Sequence, residues 1–385
     1  MADTVRCAYT APMRICHLAD THLGAGENHP RKTADGLTER QHDIIRTFIE
    51  AIDKIIELKP DLCIHAGDLF HTVRPTNRIM AIAAEQLHRI AEQATIPTLI
   101  ITGNHDAPKQ SGHGPALDVY RTIDNLTVVS HSRVEQIQVG GVMVTALPHC
   151  LTTEIQKAEL AKCHPDTNAD YNLLVMHGVA AGMDEFKMVE LGEQELPLEV
   201  MQGYDYVALG HFHNFRQVAE RAWYSGSTER LSQSEQSTDK GFVEVDLDEF
   251  SVIFHEVASR VMVDVPMLDA TGLRGDEVLT MVRERLNEVG GEDKIVRMRL
   301  ANVSEEARKT MPTQELQELR QRSYALDVQF QRFEKKTDQA ATLGRSGIGR
   351  LDKAFLDFLA TQSLEGFDIE RLQSSALGYL TEDDQ

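Results

Sequence analysis

Cysteine is scarce and scattered in this sequence of 385 residues. There are five cysteines, an odd number, and none of them forms a C-x-x-C pair. This usage argues against a disulfide framework and against a thiolate zinc site, and it indicates a reducing compartment. The five are Cys7, Cys16, Cys63, Cys150 and Cys163.

Long apolar runs are absent as well. No run approaches the roughly 18 apolar residues that a membrane helix requires, and the first residues, MADTVRCAYTAPMR, lack the apolar centre of a secretory signal. Internal repeats and low-complexity tracts are also absent. We therefore expect a globular, cytoplasmic protein with no membrane partner.

Positive charge is in deficit. Lys and Arg number 39 against 60 Asp and Glu, which gives a formal net charge of −21. A chain this acidic does not coat nucleic acid through its whole surface. An enzyme that acts on nucleic acid remains compatible with this charge if bound metal ions and a local basic patch supply the positive field.

Hydrophobic periodicity predicts a βαβαβ pattern from Arg14 onward, in which short apolar runs alternate with helical spacing. The two helices are predicted around residues 44–56 and 78–93, and a third after Thr152. Further strands are predicted at VMVTALP, NLLVMHG, YVALGH, GFVEVDL and SVIFHEV. We assign residues 1–258 to one α/β domain with mixed sheets.

The pattern changes after this domain. A strand at VMVDVP, a helix over residues 276–289 and a strand at IVRMRL predict a small α/β module over residues 259–333. Residues 334–349 have little apolar content and suit a linker. Residues 350–385 predict two short amphipathic helices, which indicates docking to a partner. The alternative, that these helices fold back on their own chain, stays open.

Five short segments place Asp, Asn or His directly after a buried-looking strand, where α/β folds carry their active sites. Each segment alone is explained equally well as a polar loop, a helix cap or a core histidine. Five in succession at the same structural position are poorly explained by chance. The segments are ICHLADTH with Asp20 and His22, IHAGDLFH with Asp68 and His71, IITGNHD with Asn104 and His105, LLVMHG with His177, and VALGHFH with His211 and His213.

These residue types fit a site for two divalent cations. Carboxylate and amide oxygens suit harder cations, and imidazole suits borderline transition metals. One carboxylate can bridge two ions roughly 3.5–4 Å apart, the spacing used in phosphoester hydrolysis. Because no cysteine belongs to the set, manganese is expected rather than a structural zinc, although the order of affinities alone does not exclude zinc, iron or nickel. We expect Gly67, Gly103 and Gly210, which precede ligands, to allow tight turns and close access of a substrate.

The series Asp20-x-His22, Gly67-Asp68, Gly103-Asn104-His105-Asp106, His177-Gly178 and Gly210-His211-x-His213 resembles the calcineurin-like metallophosphoesterase superfamily. The runs GDLFHTVRP, HGVAAG, GHFHNFRQV and YSGSTER are similar to those of the SbcD-type nuclease subunits of prokaryotic DNA break-processing complexes. The resemblance covers about residues 13–256. It implies a sandwich of mixed β-sheets flanked by helices, with a small α/β capping domain and a C-terminal helical segment.

The resemblance also implies a role for each matching residue. Asp20, His22 and His213 would hold one metal, and Asn104, His177 and His211 the other, with Asp68 as the bridge. His71 and His105 would contact the scissile phosphate and assist the leaving oxygen, since in-line attack by hydroxide needs a nearby proton donor and imidazole suits that task near neutral pH.

The function that follows from the resemblance is a manganese-dependent DNA nuclease, a 3′ to 5′ exonuclease on duplex ends and an endonuclease on single strands or hairpins. Its implied partners are DNA, an SbcC-type ABC ATPase with coiled coils, and a second copy of the chain in a homodimer at the nucleoid. One alternative is a metallophosphoesterase that acts on a small molecule or a phosphoprotein. Another is a binding scaffold without catalysis, which would be expected to lack one or more of these residues.

Other polar residues near these segments have less certain roles. His17 and His65 alternate with apolar neighbours in predicted strands, so we expect them in the core or behind the metal ligands. Arg74 and Arg230 are plausible phosphate contacts, because a guanidinium matches phosphate oxygens bidentately. Surface salt bridges are the ordinary alternative for both.

Overall fold

Two six-stranded β-sheets form the centre of the protein. The structure is a computed structural model, and it describes residues 13–108, 114–182 and 195–331. The strands are β1 (Arg14–Leu18), β2 (Leu62–His65), β3 (Thr98–Ile101), β4 (Leu126–Val129), β5 (Glu135–Val139), β6 (Val142–Leu147), β7 (Asn172–His177), β8 (Val179–Ala180), β9 (Glu195–Leu196), β10 (Tyr206–Gly210), β11 (Arg216–Ala219), β12 (Ala222–Tyr224), β13 (Gly241–Asp246), β14 (Ser251–Glu256), β15 (Met262–Asp269), β16 (Ile295–Ala301) and β17 (Ala325–Phe330). The α-helices are α1 (Glu39–Leu58), α2 (Asn77–His88), α3 (Thr153–Leu160), α4 (Gly275–Val289), α5 (Glu305–Thr310) and α6 (Thr313–Arg322).

Both central sheets are mixed. The first has the order β14-β13-β1-β2-β3-β4 and the second the order β11-β12-β10-β7-β6-β5. In each sheet four neighbouring strands run parallel, β1 to β4 in the first and β6, β7, β10 and β12 in the second. Their sequences are nearly continuous apolar runs because both faces of these strands are covered.

Apolar side chains fill the space between the two sheets. Ile15, Ile64 and Leu99 of the first sheet belong to the same buried cluster as Val175 and Tyr206 of the second. The outer face of the first sheet packs against α1 and α2, and the outer face of the second contacts α3. The sandwich of mixed sheets with flanking helices predicted from the sequence is confirmed.

The local sequence explains where helix α1 begins and ends. Thr38 and Gln41 form a capping box at its start, and Lys59 ends it in a left-handed conformation directly before Pro60. Ile44 and Phe48 lie on the face that packs against the sheet. The predicted helix over residues 78–93 is α2, continued by a π-helical turn to Gln93.

A three-stranded parallel sheet, β15-β16-β17, follows the sandwich and carries α4, α5 and α6 on its own apolar core. These elements lie in the region over which the sequence predicts the small α/β capping module. Residues 13–331 belong to one compact unit, so the predicted boundary at residue 258 stays a prediction. The predicted linker over residues 334–349 and the helical segment over 350–385 lie outside the described residues.

A buried ionic cluster joins the module to α1. Asp43 of α1 accepts hydrogen bonds from the hydroxyl of Tyr324 at 2.6 Å and from Nη2 and Nε of Arg260, the former at 2.6 Å. The guanidinium of Arg260 also stacks on the ring of Tyr324 at 3.7 Å. Burial acts to raise the pKa of Asp43, but the donors on Arg260 and Tyr324 outweigh it and hold this pKa below its ordinary value.

Substitution of Asp43 by Asn should therefore destabilise the fold. The change leaves the guanidinium of Arg260 without its counter-charge, and breaking a largely buried pair costs about 3 kcal/mol. The pKa of Asp43 is lower in the folded protein than in the unfolded chain. The loss in free energy of unfolding caused by the substitution should therefore be complete at neutral pH and should shrink as the pH falls through the folded-state pKa. The measurement is urea unfolding followed by circular dichroism at several pH values.

Asp53→Asn is the matched control. Asp53 lies on the same helix and pairs with Arg89 at 2.6 Å, but both side chains are about one third to one half exposed. Its loss should cost less than about 1 kcal/mol. Equal effects of the two substitutions would contradict the interpretation of Asp43 as a buried anchor.

Candidate metal centre

The predicted site residues lie where the parallel strands of both sheets end. Asp20 and Asp68 follow β1 and β2, Asn104 follows β3, His177 ends β7 and His211 follows β10. Two sheets packed face to face thus direct five strand ends to one edge of the sandwich, as the sequence predicts.

Four non-glycine residues at this edge have left-handed backbone conformations. They are Asp20 (φ 53°), His22 (φ 45°), Asp68 (φ 56°) and His211 (φ 105°). Such conformations cost roughly 1–3 kcal/mol each and persist only where the surroundings enforce them. Here the backbone N–H of Asp20 donates to Gly67 O at 3.0 Å, and that of His22 donates to Asp68 O at 3.0 Å.

All seven predicted ligands meet in one cluster. Nε2 of His22 lies 3.2 Å from Nε2 of His213. Oδ1 of Asn104 lies 2.9 Å from Nε2 of His177 and 3.0 Å from Nδ1 of His211. The two oxygens of Asp20 accept the backbone N–H of His211 at 3.0 and 2.9 Å.

Asp68 lies between the two predicted ligand sets. Its Oδ2 is 3.6 Å from Nε2 of His22, which belongs to one set, and 3.4 Å from Nε2 of His177, which belongs to the other. Its Oδ1 accepts the backbone N–H of His105 at 2.8 Å. Asp68 is thus close to residues of both predicted sets.

Burial and neighbouring charges shift the pKa values of these groups. Burial, together with the charge of Asp68, raises the pKa of Asp20. Burial also acts to raise the pKa of Asp68, but His177 and His22 outweigh it and lower this pKa. Burial lowers the pKa of His22, so that its imidazole is neutral and has a lone pair for a metal at neutral pH.

The donor set fits divalent cations. Asp20, His22 and His213, the three residues of one predicted set, form a group whose donor atoms all lie within 4.8 Å of one another. Asp20, Asp68 and His177 form a second such group, which combines residues of both predicted sets. Carboxylate and amide oxygens together with imidazole nitrogens are common ligands of divalent metals.

His71 and His105 lie beside this cluster. Their rings stack with centroids 5.2 Å apart, and Nδ1 of His71 is 3.4 Å from Nδ1 of His22. His22, His71 and His105 also form a third group with donor atoms within 4.8 Å. Both imidazoles are only partly buried, so they are accessible to a substrate at the cluster.

The profile of the family described as calcineurin-like phosphoesterase matches residues 13–215 of this chain. The chain belongs to the calcineurin-like phosphoesterase family. The predicted resemblance and the predicted enzyme class, a phosphoesterase, are confirmed, and the matched residues include all the predicted ligands and both accessory histidines.

This calcineurin-like phosphoesterase is also similar to curated relatives named "DNA double-strand break repair protein Mre11". The relative from Methanococcus maripaludis is 30% identical over 61% of this chain and 63% of its own length. The relative from Saccharolobus solfataricus is 32% identical over 52% of this chain and 49% of its own length. The relative from Haloferax volcanii is 29% identical over 76% of this chain and 62% of its own length. The chain thus spans about half to two thirds of the length of these relatives.

The glycines of the site allow close contacts between loops of the protein. Gly67 does adopt a turn conformation that requires glycine (φ +98°). A Cβ on Gly67, Gly103 or Gly210 would lie 2.4 Å from His177 Nδ1, 2.2 Å from Asp68 Oδ1 or 2.1 Å from Ala66 O, respectively. The close approach is therefore between loops of the protein, and it is what lets the strand ends converge.

The expectation for Arg230 is wrong. Its guanidinium donates to Ser259 Oγ at 2.5 Å and to the carbonyl oxygens of Arg260 and Thr238, so it serves internal packing rather than a phosphate. His17 and His65 are buried, as expected, and bond to Tyr206 and Thr21. Burial lowers the pKa of each to about 3.

Sequence reasoning assigned no role to two buried carboxylates near the site. Asp106 accepts the backbone N–H groups of Gly103 at 2.6 Å and Leu69 at 2.8 Å, which ties the loops after β2 and β3 together. The motif Gly-Asn-His-Asp contains Asp106, so its position was visible in the sequence. Glu235, whose Oε1 lies 3.1 Å from Nδ1 of His213, belongs to no such motif in the sequence.

Within the described ranges, no helix is long and apolar enough to cross a membrane.

Addition of Mn²⁺ should stabilise this phosphoesterase, and Asp68→Asn should abolish the effect. At a hundredfold excess over its dissociation constant, one bound ion stabilises a fold by about 2.7 kcal/mol. Asp68 contacts both predicted ligand sets, so its loss should weaken both sites. The measurement is the melting temperature with Mn²⁺ and with chelator. Asp53→Asn on α1 should keep the wild-type response, and a full response in Asp68→Asn would contradict the shared-carboxylate interpretation.

Proposed function

We propose that this protein is the two-metal DNA nuclease subunit of a break-processing complex and hydrolyses phosphodiester bonds. The observation that carries the proposal is the convergence of six further residues with oxygen or nitrogen donors around Asp68, with two more imidazoles beside them. The names of the relatives support DNA as the substrate.

The metal-binding part of the proposal assigns two ions, most simply Mn²⁺. Asp20, His22 and His213 would hold one, Asn104, His177 and His211 would hold the other, and Asp68 would be shared between them. When bound, the ions supply Lewis-acid activation of water and stabilise the charge that develops on the phosphate. The pKa values of Asp68 and His22 are lowered, so at neutral pH the carboxylate is ionised and the imidazole is neutral. Neither group would have to lose a proton to bind a metal ion.

The catalytic part of the proposal assigns the phosphate contacts to His71 and His105. Burial, together with His105, lowers the pKa of His71, so His71 is neutral at physiological pH and offers a hydrogen bond to the phosphate. Nδ1 of His105 donates to the backbone carbonyl of His71 at 3.1 Å, which orients the ring. In the imidazolium form Nε2 would carry a hydrogen as well, and it would give this proton to the leaving oxygen.

The proposed activities are a 3′ to 5′ exonuclease on duplex ends and an endonuclease on single strands or hairpins. An SbcC-type ABC ATPase with coiled coils would dock on residues 350–385 and supply part of the grip on DNA, because the chain itself has a net charge of −21. A homodimer in the cytoplasm, at the nucleoid, completes the proposed assembly.

The decisive assay incubates the full chain, alone and with the ATPase and ATP, with end-labelled duplex, hairpin and single-stranded DNA. A generic phosphate diester is tested in parallel, each in Mn²⁺, Mg²⁺ and chelator. We expect Mn²⁺-dependent cleavage of DNA. Cleavage of the small diester but of no DNA would instead indicate a phosphodiesterase or phosphatase for a small molecule or phosphoprotein, and no cleavage of any substrate would indicate a binding scaffold.

His105→Ala should separate catalysis from metal binding. Loss of a positioned proton donor typically lowers turnover by about 10²- to 10⁴-fold, whereas the predicted ligand set stays complete. We expect reduced cleavage together with an unchanged Mn²⁺-induced rise in melting temperature.

His131→Ala serves as the control for this substitution. His131 is about half exposed and faces Asp118 on the surface, so its loss should change neither readout. A loss of the Mn²⁺ response in His105→Ala would contradict the accessory role and would favour the group His22, His71 and His105 as a metal site.

A further inference from the structure

His213 presents its two ring nitrogens to different surroundings. Nε2 points into the metal-ligand cluster, 3.2 Å from Nε2 of His22. Nδ1 points away from the cluster and lies 3.1 Å from Oε1 of Glu235. The state of Nδ1 decides whether Nε2 has a free lone pair, because a neutral imidazole carries one N–H.

Glu235 is buried in the short 3₁₀ turn Gln233–Glu235 and is held by further donors. Its Oε1 accepts from Ser232 Oγ at 3.0 Å, and its Oε2 accepts from the backbone N–H of Leu231 at 3.2 Å. Nζ of Lys240 donates to the same Oε2 at 2.6 Å. An ionised carboxylate is a pure acceptor, so the hydrogen between Glu235 and His213 lies on Nδ1.

Lys240 is the counter-charge of this carboxylate and is itself almost fully buried, with 1% of its surface exposed. Its two remaining N–H groups have partners as well, His213 O at 2.8 Å and Ser227 Oγ at 3.1 Å. One ammonium group thus fixes both the carboxylate that faces the ring of His213 and the backbone of His213 itself.

In His177, which belongs to the second ligand set, the partner of Nδ1 is a backbone carbonyl instead of a side chain. Its Nδ1 donates to the carbonyl of Ala66 at 2.9 Å, and its Nε2 faces Asn104 and Asp68. For His213 the corresponding acceptor is a side chain. A substitution of Glu235 therefore removes the acceptor of His213, whereas no side-chain substitution removes the carbonyl that accepts from His177.

We propose that Glu235 and Lys240 are a positioning pair for His213: they fix the Nδ1–H form of its imidazole and aim Nε2 at one of the two cations. Hydrogen-bond partners behind metal ligands typically contribute about 10- to 100-fold in metal affinity. The inference rests on the metal site of the proposed function, and it concerns one of the two ions only.

The test compares Mn²⁺ binding by the full chain, measured by isothermal titration calorimetry. The first variant is Glu235→Gln, and the second combines Glu235→Gln with Lys240→Met. The double change removes both buried charges, so no uncompensated ammonium remains to unfold the protein. We expect two ions for the wild type, and in both variants an affinity about 10- to 100-fold weaker for one ion with the other unchanged.

A second measurement reads the imidazole directly in the metal-free protein. Nitrogen NMR of ¹⁵N-histidine-labelled protein distinguishes Nδ1–H from Nε2–H, and the His213 signals are those missing in His213→Gln. We expect the Nδ1–H form in the wild type and a mixture of both forms in the Glu235 variants. A purely structural pair would leave this signature unchanged.

Glu244→Gln is the matched control. Glu244 also faces a histidine, with Oε2 2.8 Å from Nε2 of His255, but this pair lies on β13 and β14 outside the metal cluster. Its substitution should leave both Mn²⁺ affinities and the His213 signals unchanged.

Each outcome bears on one claim. Wild-type affinities and an unchanged His213 tautomer in the Glu235 variants would overturn the positioning role while leaving the metal site intact. Loss of both ions in the charge-free double variant would also overturn it, since the pair would then serve the fold as a whole. If the wild type binds no Mn²⁺, the proposed function fails, and the NMR measurement still decides whether Glu235 fixes the ring of His213.

Discussion

The buried carboxylate of Asp68 is the constraint around which the site is organised. Burial of an anion is costly unless donors and positive charge compensate it. Here the compensation comes from the backbone N–H of His105 and from the imidazoles of His22 and His177. His22 and His105 follow β1 and β3, and His177 is the last residue of β7, so the compensation of this one carboxylate connects strand ends from both sheets.

The packing of the sandwich makes this arrangement possible. The inter-sheet core brings the ends of β2 and β10 so close that a methyl group on Gly210 would collide with the carbonyl of Ala66. Asp106, buried behind the ligands, accepts N–H groups from the loops after β2 and β3. The site therefore depends on the fold at two levels, the apolar contact between sheets and the polar contacts between loops.

The sequence predicted six of the eight parallel strands in the two central sheets, all except β4 and β12, because a buried parallel strand produces a local signal, a short apolar run. The candidate ligands Asp20 and Asp68 follow such runs within three residues, so their position at the strand ends could be predicted. Helices α5 and α6 and strands β11 and β12 were not predicted, because they are short or largely polar. For such elements tertiary contacts decide the structure rather than periodicity.

The contacts behind the ligands could not be predicted for the same reason. Glu235 lies in a polar stretch, and nothing in the order of its neighbours indicates that it faces His213 across 22 positions of chain. Arg230 carried a local signal that pointed to a phosphate, but its actual partners are the hydroxyl of Ser259 and two backbone carbonyls. Chemical type indicates what a side chain is able to bind, whereas the tertiary fold determines what it does bind.

The left-handed conformations of Asp20, His22, Asp68 and His211 have a consequence for ligand binding. Hydrogen bonds within the protein, such as those donated by the backbone N–H groups of Asp20 and His22, hold these strained conformations in place. A ligand that enters such a preorganised site loses its own freedom but causes little further ordering of the chain. Specificity at this edge is consequently set by rigid complementarity, and substitutions that relax the backbone there would raise stability at the expense of that rigidity.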